Sequence, residues 1–207
     1  MIGCIGSFTP PNAKEYSAPA IYLHGHISSR LIKLPKSNQD NGLPGTPVCV
    51  AATHADGPVL AFTPFHHSFN YRSAIIHGWA NIVTDPAEKL YALEQITNNV
   101  VPKRWENAVI PPSDADLKST GVLRVDIASA SAKVRASGPG VEHVDVQDKE
   151  RVWSGVVPTW LVYGNPIASQ HNEVAEVPEY IKSWTTQENE RNEMYARHVA
   201  GQIAAKK

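Results

Sequence analysis

The segment His24-Gly-His-Ile-Ser-Ser-Arg30 puts two imidazoles, two hydroxyls and a guanidinium into one short stretch. Hydroxyls, free backbone amides and a permanent cation at the entry to a helix are what a phosphate dianion requires, so Ser28, Ser29 and Arg30 are candidate phosphate ligands. The plainer alternative is a serine that caps a short helix beside a solvated arginine. His24 and His26, two apart on a strand, share a face, and His66-His67 offers two more imidazoles. A metal site is not expected from them, because no carboxylate lies near in sequence and Arg30 is a poor neighbour for a divalent cation. Imidazoles that ordinarily titrate at about 6.5 suit proton transfer instead, which makes His24, His26, His66 and His67 acid–base candidates.

Three further segments carry polar chemistry. Asn70-Tyr-Arg-Ser73 opens a long strand, where Tyr71, Arg72 and Ser73 sit at a sheet end a ligand could reach. Ser131-Ala-Lys-Val-Arg135 sets Lys133 and Arg135 on one strand face, either solvated or holding an anion. Trp153 precedes Gly155, whose bare backbone would let a flat ring approach. Asp114 and Asp116 read as helix-capping residues. No G-x-S-x-G elbow, P-loop or G-x-G-x-x-G is present, so hydrolase and kinase readings have no foothold.

The elements that would position these groups are mostly strands. Met1-Ile-Gly-Cys-Ile-Gly-Ser-Phe8 starts abruptly as an apolar strand, either an edge strand or the middle of a larger fold. Ala20–His24 is a short strand leading to a helix of one or two turns that ends before Pro35, and 36–46 reads as loop. Val48–Thr53 and Val59–Phe62 form a hairpin about the Asp56-Gly57 turn signal. The long strand to Val83 carries Gly78 as a bend or bulge. Asp85 as N-cap, Pro86 and Glu88 then start the most secure helix, with Leu90, Leu93, Ile96 and Val100 at helical spacing. Another short helix begins near Pro111, and Val122–Ile127 returns to strand. Residues 137–149 are a glycine-rich, acidic loop, Arg151–Val157 and Thr159–Tyr163 are strand-like, and the charged tail from Gln187 suits an exposed helix. The sum is a mainly β fold with inserted helices, a small barrel rather than a doubly wound sheet. One domain spans residues 1–185, followed by the tail at 186–207.

Composition excludes several classes. The 207 residues carry 19 Lys+Arg against 20 Asp+Glu, so no basic field exists to draw nucleic acid or an anionic membrane. No apolar run is long enough for a membrane span, and the N-terminus lacks a leader pattern, so a cytoplasmic protein is expected. Cys4 and Cys49 sit in apolar runs as small hydrophobes, and any redox chemistry must come from a cofactor.

Taken in order, Ile21–Arg30, Val48-Cys-Val50, His67–Ser73 with Gly78, Asp85–Lys89, Val101–Trp105, Val122–Arg124, Ser131–Arg135 and Trp153–Gly155 resemble the FMN-binding split-barrel proteins. The branch they resemble is the pyridoxamine 5'-phosphate oxidase-related one, including the nitroimidazole-resistance type, over roughly residues 1–165. The resemblance implies a split β-barrel with shortened N-terminal elements and a homodimer holding FMN between subunits. It places Ser28, Ser29 and Arg30 at the flavin phosphate, Tyr71, Arg72 and Ser73 along the isoalloxazine, and Trp153 over the flavin site. Lys133 or Arg135 would oppose the charge of a reduced flavin, and His24 would face the substrate, with His26 and His67 as further catalytic candidates. The arginine and histidine motif that clamps the substrate phosphate in true pyridoxamine phosphate oxidases has no counterpart after Val156, so vitamin B6 is not the expected substrate. The expected activity is FMN-dependent hydride transfer to a small organic molecule, with NAD(P)H a candidate donor. The alternatives are a flavin-free barrel reused for an acid–base step on a secondary-metabolite intermediate, or for ligand or haem binding through a histidine.

Overall fold

The computed structural model of the chain describes residues 2–10, 17–140 and 150–203, with backbone alone at 36–40. Its elements are β1 (Gly3–Gly6), β2 (Ala20–His26), α1 (Arg30–Asp40), β3 (Thr46–Leu60), β4 (Ser68–Ile82), α2 (Pro86–Val100), α3 (Asp114–Ser119), β5 (Thr120–Arg135), β6 (Gly155–Val156) and α4 (Glu179–Ala200). The strands form one mainly antiparallel sheet in the order β1-β2-β5-β4-β3-β6, and the fold is that of the split barrel. Tertiary packing divides the chain into two units: Met1–Val50 with Ile75–Ala130, and Ala51–Ala74 with Ser131–Lys207.

In the first unit the sheet is apolar on both faces, because strand alternation sends neighbouring residues to opposite sides. Ala20, Tyr22 and Val122 pack with Ala92 and Ile96 of α2, while Ile21, Leu123 and Val125 pack with Ile32 of α1. The α2 start is the expected one: Asp85 accepts from Ala87 N, with Pro86 in the first turn. α3 opens on a reciprocal capping box between Ser113 and Asp116, which accounts for that acid as expected. β1 is an edge strand, and α2 occupies backbone groups along it, with the Tyr91 hydroxyl accepting from Ser7 N and Asn99 donating to Gly3 O. Covering an edge in this way blunts its capacity to pair with another chain.

Glu88 ties α2 to the sheet. The Tyr22 hydroxyl donates to Glu88 Oε1 at 2.7 Å, and Arg124 Nη1 donates to the same oxygen at 3.3 Å. Burial, then the bond to Glu88, pushes the Tyr22 hydroxyl well above its ordinary value of 10.0. Above that pH the unfolded phenol releases its proton and the folded one does not, so the unfolded state binds fewer protons and stability falls as pH rises. Urea unfolding from pH ~9 to ~11 is expected to show this decline, with Tyr22→Phe flattening it. An unchanged slope in Tyr22→Phe would remove Tyr22 as the cause.

Several sequence expectations give way. There is no hairpin at Asp56-Gly57: β3 runs unbroken through it, with Gly57 at φ +138° and Asp56 buried. Helix α1 does not stop before Pro35 but continues to Asp40, with Pro35 fully buried, so packing offsets the amide hydrogen bond a helical proline lacks. Residues 36–40 are therefore helix, not loop. Ser131–Arg135, by contrast, is strand as expected, the continuation of β5. Of the two strand-like runs at 151–163 only Gly155–Val156 is strand, paired with Val59 and Leu60. The tail helix begins at Glu179, before Gln187. Cys49 is exposed, unlike Cys4, whose thiol burial pushes up. Residues 11–16, and residues 141–149 within the expected glycine-rich loop, lie outside the described residues.

Candidate functional site

In the first unit, β2 ends at His26 and the chain turns directly into α1. Ser29 N donates to His26 O, and the Ser29 carbonyl accepts from Ile32 N and Lys33 N, opening the helix. His26 Nδ1 lies 2.6 Å from Ser28 Oγ and accepts from Ser28 N at 3.2 Å. A backbone N–H can only donate, so this Nδ1 carries a lone pair and the neutral ring holds its proton on Nε2. Ser28 thus has its hydroxyl engaged with His26, and Ser29 Oγ is enclosed without a partner. Arg30 is exposed, with no hydrogen bond or ion pair among the described residues, and the first turn of α1 contains no acid. The turn brings the expected phosphate ligands together in sequence and space: Arg30 is exposed, the Ser28 hydroxyl is engaged with His26 and the Ser29 hydroxyl is enclosed. His24 stands two residues before His26, half-buried, with Nδ1 enclosed and unpartnered.

In the second unit, two motifs distant in sequence become neighbours. The Ser73 hydroxyl donates to Lys133 O at 3.4 Å, and Lys133 Nζ lies 5.9 Å from the Tyr71 ring centroid. Arg135 donates through Nη1 to Asn70 Oδ1 at 2.7 Å and to Ser137 O, and through Nη2 to Gly138 O. Its charge therefore serves as a clamp on the strand end, while Lys133 stays exposed. Asn70 is fully buried, and its Oδ1 also accepts from Ser137 N.

Arg72 makes a forked pair with Asp56, Nε to Oδ2 at 3.1 Å and Nη2 to Oδ1 at 2.8 Å, and lies 3.9 Å from the Tyr195 ring centroid. These bonds hold the guanidinium above its ordinary value. The fork and the stacked ring commit much of Arg72 to β3 and α4. Trp153 is exposed and lays its indole over Gly155, where a Cβ would come within 2.7 Å of the ring. A turn at Pro64–His66 links β3 to β4; His67 Nδ1 there accepts from Ala61 N at 2.9 Å, and His66 Nδ1 lies 3.3 Å from Thr63 Oγ1. Asp56 and Tyr195 were not among the predicted site residues, and Asn70 was named only as the start of the Tyr71–Ser73 segment. An acid inside an apolar strand run is a signal for Asp56, whereas nothing local marks Tyr195. Among the described residues no cluster of histidine, cysteine and acids could hold a metal ion, and no helix is long and apolar enough to cross a membrane.

Comparisons with known proteins bear on what this arrangement serves. Two solved structures have a similar fold: the flavocytochrome Anf3 from Azotobacter vinelandii, at 24% identity over 88% of this chain and 84% of that one, TM-score 0.67; and the FAD and haem binding protein from Mycobacterium smegmatis, at 23% identity over 89% of each, TM-score 0.67. A 5-nitroimidazole antibiotic resistance protein from Bacteroides thetaiotaomicron matches at 20% identity over 63% of this chain and 75% of that one, TM-score 0.40. No curated protein sequence matches the chain. The family model for pyridoxamine 5'-phosphate oxidase matches residues 11–134, which take in the β2–α1 turn, Tyr71–Ser73 and Lys133. With motif order, sheet and more than half of the sequence in agreement, the chain belongs to the pyridoxamine 5'-phosphate oxidase family of flavin-binding split barrels.

Proposed function

We propose that the chain binds FMN and works as an oxidoreductase, as a homodimer, on a small organic substrate with NAD(P)H a candidate electron donor. The observation that carries this is the family match across residues 11–134, with a cation at a helix start inside it that has no ion pair among the described residues. A bound flavin supplies hydride transfer through its N5 position. The residues of the chain supply binding and orientation. Arg30 and the first amides of α1 hold the phosphate, with His26 offering its Nε2–H beside them. Ser29 joins them if its side chain rotates outward. Lys133, the exposed cation of the second cluster, suits the negative charge of a reduced ring better than Arg135, whose donors already serve protein carbonyls. Ile127, Ile75, Phe69 and Val134 stay exposed in the single chain, which supports a partner copy.

Phosphate anchoring gives a specific test. Arg30→Ala is expected to weaken FMN about tenfold or more, the worth of one charge-assisted hydrogen bond, while leaving riboflavin, which has no phosphate, unchanged. Fluorescence titration measures both, with FAD as a third arm, and sedimentation of the same protein is expected to give the mass of two chains. Equal FMN affinity in Arg30→Ala would remove the turn from the flavin site.

Haem is a second reading. It is favoured by the two solved structures of similar fold, a flavocytochrome and an FAD and haem binding protein, and by four histidines of this chain, His24 and His26 on β2 and His66 and His67 between β3 and β4. An absorbance titration with ferric protoporphyrin IX tests it.

A further inference from the structure

We infer that Asn70 and Arg135 recognise the imide edge of the flavin ring, at a site the strap Ser137–Gly138 holds shut in the free chain, an inference that rests on the flavin reading above. Asn70 is fully buried, and its Oδ1 accepts from Arg135 Nη1 at 2.7 Å and from Ser137 N at 3.1 Å. Both partners can only donate, so the amide cannot be turned over: Oδ1 is the acceptor and Nδ2 the donor. Nδ2 is enclosed and has no hydrogen-bond partner among the described residues. A donor shut away without an acceptor weakens the closed form. An aspartate at the same place would accept both bonds and leave no donor over. The asparagine therefore keeps a donor that the closed strap does not use.

The order of groups in this cluster defines what would use it. Arg135 donates, Asn70 Oδ1 accepts and Asn70 Nδ2 donates. The complement is a carbonyl, an N–H and a second carbonyl in a row, which is the pyrimidine edge of an isoalloxazine. The strap supplies two of the three: Ser137 O accepts from Arg135 Nη1 at 3.1 Å, and Ser137 N donates to Asn70 Oδ1. It is an incomplete copy of the edge, and the group it lacks is the acceptor for Nδ2. Gly138 fastens the strap further, its carbonyl accepting from Arg135 Nη2 at 3.2 Å and its N–H donating to Gln202 O at 2.7 Å. These bonds all use backbone groups of Ser137 and Gly138, and neither residue carries an apolar side chain, so the strap can leave without baring a core. Arg135 serves the strap carbonyls only while the strap is closed. Every residue named belongs to the second unit.

Two experiments on the full chain test this. Hydrogen exchange of the wild-type chain is expected to speed up at Ser137 and Gly138 when FMN is added, because the ring edge takes the place of the strap. Unchanged or slower exchange there, with FMN bound, overturns the inference, and this result does not depend on any variant folding. Asn70→Asp is expected to keep or raise the urea midpoint of the free chain. It is expected to weaken FMN and riboflavin alike by about tenfold or more, since an acceptor then faces a carbonyl. Arg30→Ala, by contrast, loses affinity for FMN alone. Wild-type affinity for both flavins in a folded Asn70→Asp overturns the assignment and leaves flavin binding standing. Nicotinamide, whose carboxamide offers only one carbonyl and an N–H, is expected to leave the strap protected, and faster exchange with nicotinamide but not FMN overturns the assignment to the flavin edge. If the wild-type chain takes up neither flavin, the flavin reading falls, and the inference with it.

Discussion

Alanine at position 78 is expected to destabilise the protein by about 3 kcal/mol, the upper range for forcing extra volume into a packed interior. Gly78 is buried in β4, and a Cβ there would lie 2.3 Å from Asp126 O and 2.9 Å from Val125 Cγ1. The nearest atom is backbone, which cannot rotate aside, so β4 and β5 would have to separate. Removing glycine from a strand would otherwise favour the folded state by roughly 0.5–1 kcal/mol, so the sign tests the clash itself. Gly164→Ala, where a Cβ meets nothing within 4 Å, is expected to stay within about 0.5 kcal/mol of the wild-type chain. Urea midpoints with unchanged m values measure both. A Gly78→Ala protein as stable as the Gly164→Ala one would show that the two strands do not approach so closely.

The second large effect is an asymmetry within one ion pair. The Asp56 side chain is 5% exposed and that of Arg72 39%. Arg72→Ala strands a buried carboxylate, which is expected to cost about 3 kcal/mol. Asp56→Ala leaves a guanidinium that can turn to water and keep its stacking on Tyr195, and is expected to cost about 1 kcal/mol. The double variant should be less destabilised than the sum, because removing both partners leaves no buried charge unpaired. Equal costs for the two single changes would mean that the carboxylate finds water or another donor. Because Arg72 also belongs to the predicted flavin strand, Asp56→Ala doubles as a probe: it alters the orientation of Arg72 without deleting it.

What the sequence revealed was decided by neighbours in sequence. The start of α2 needs only Asp85, Pro86 and Glu88, and β2 with its turn needs only Ala20 to Arg30, so both were legible. Asp56-Gly57 misled because its turn preference is local, whereas its fate is set by Arg72 and by Val157 O, to which Gly57 draws close. The run after Pro158 misled in the same way. Its apolar alternation suits a strand, yet Leu161 and Tyr163 satisfy backbone groups through side chains of α4, with Asn192 donating to Leu161 O and Asn189 exchanging two bonds with Tyr163. The site divides likewise. The His26–Ser28 contact lies within one turn, but the use of Arg135 as a clamp on Asn70 depends on the β4–β5 register, which composition does not reveal. Individual hydrogen bonds then redistributed the roles, turning the Ser28 hydroxyl to His26 and leaving Arg30 exposed, with no hydrogen bond or ion pair among the described residues.

Flavin binding is tested most directly by adding FMN to the purified chain, removing the unbound fraction by gel filtration, and recording absorbance between about 350 and 550 nm. Retained flavin with bands shifted and sharpened from those of free FMN, at one flavin per chain, is the expected result. A colourless protein, with all the flavin eluting free, would contradict it.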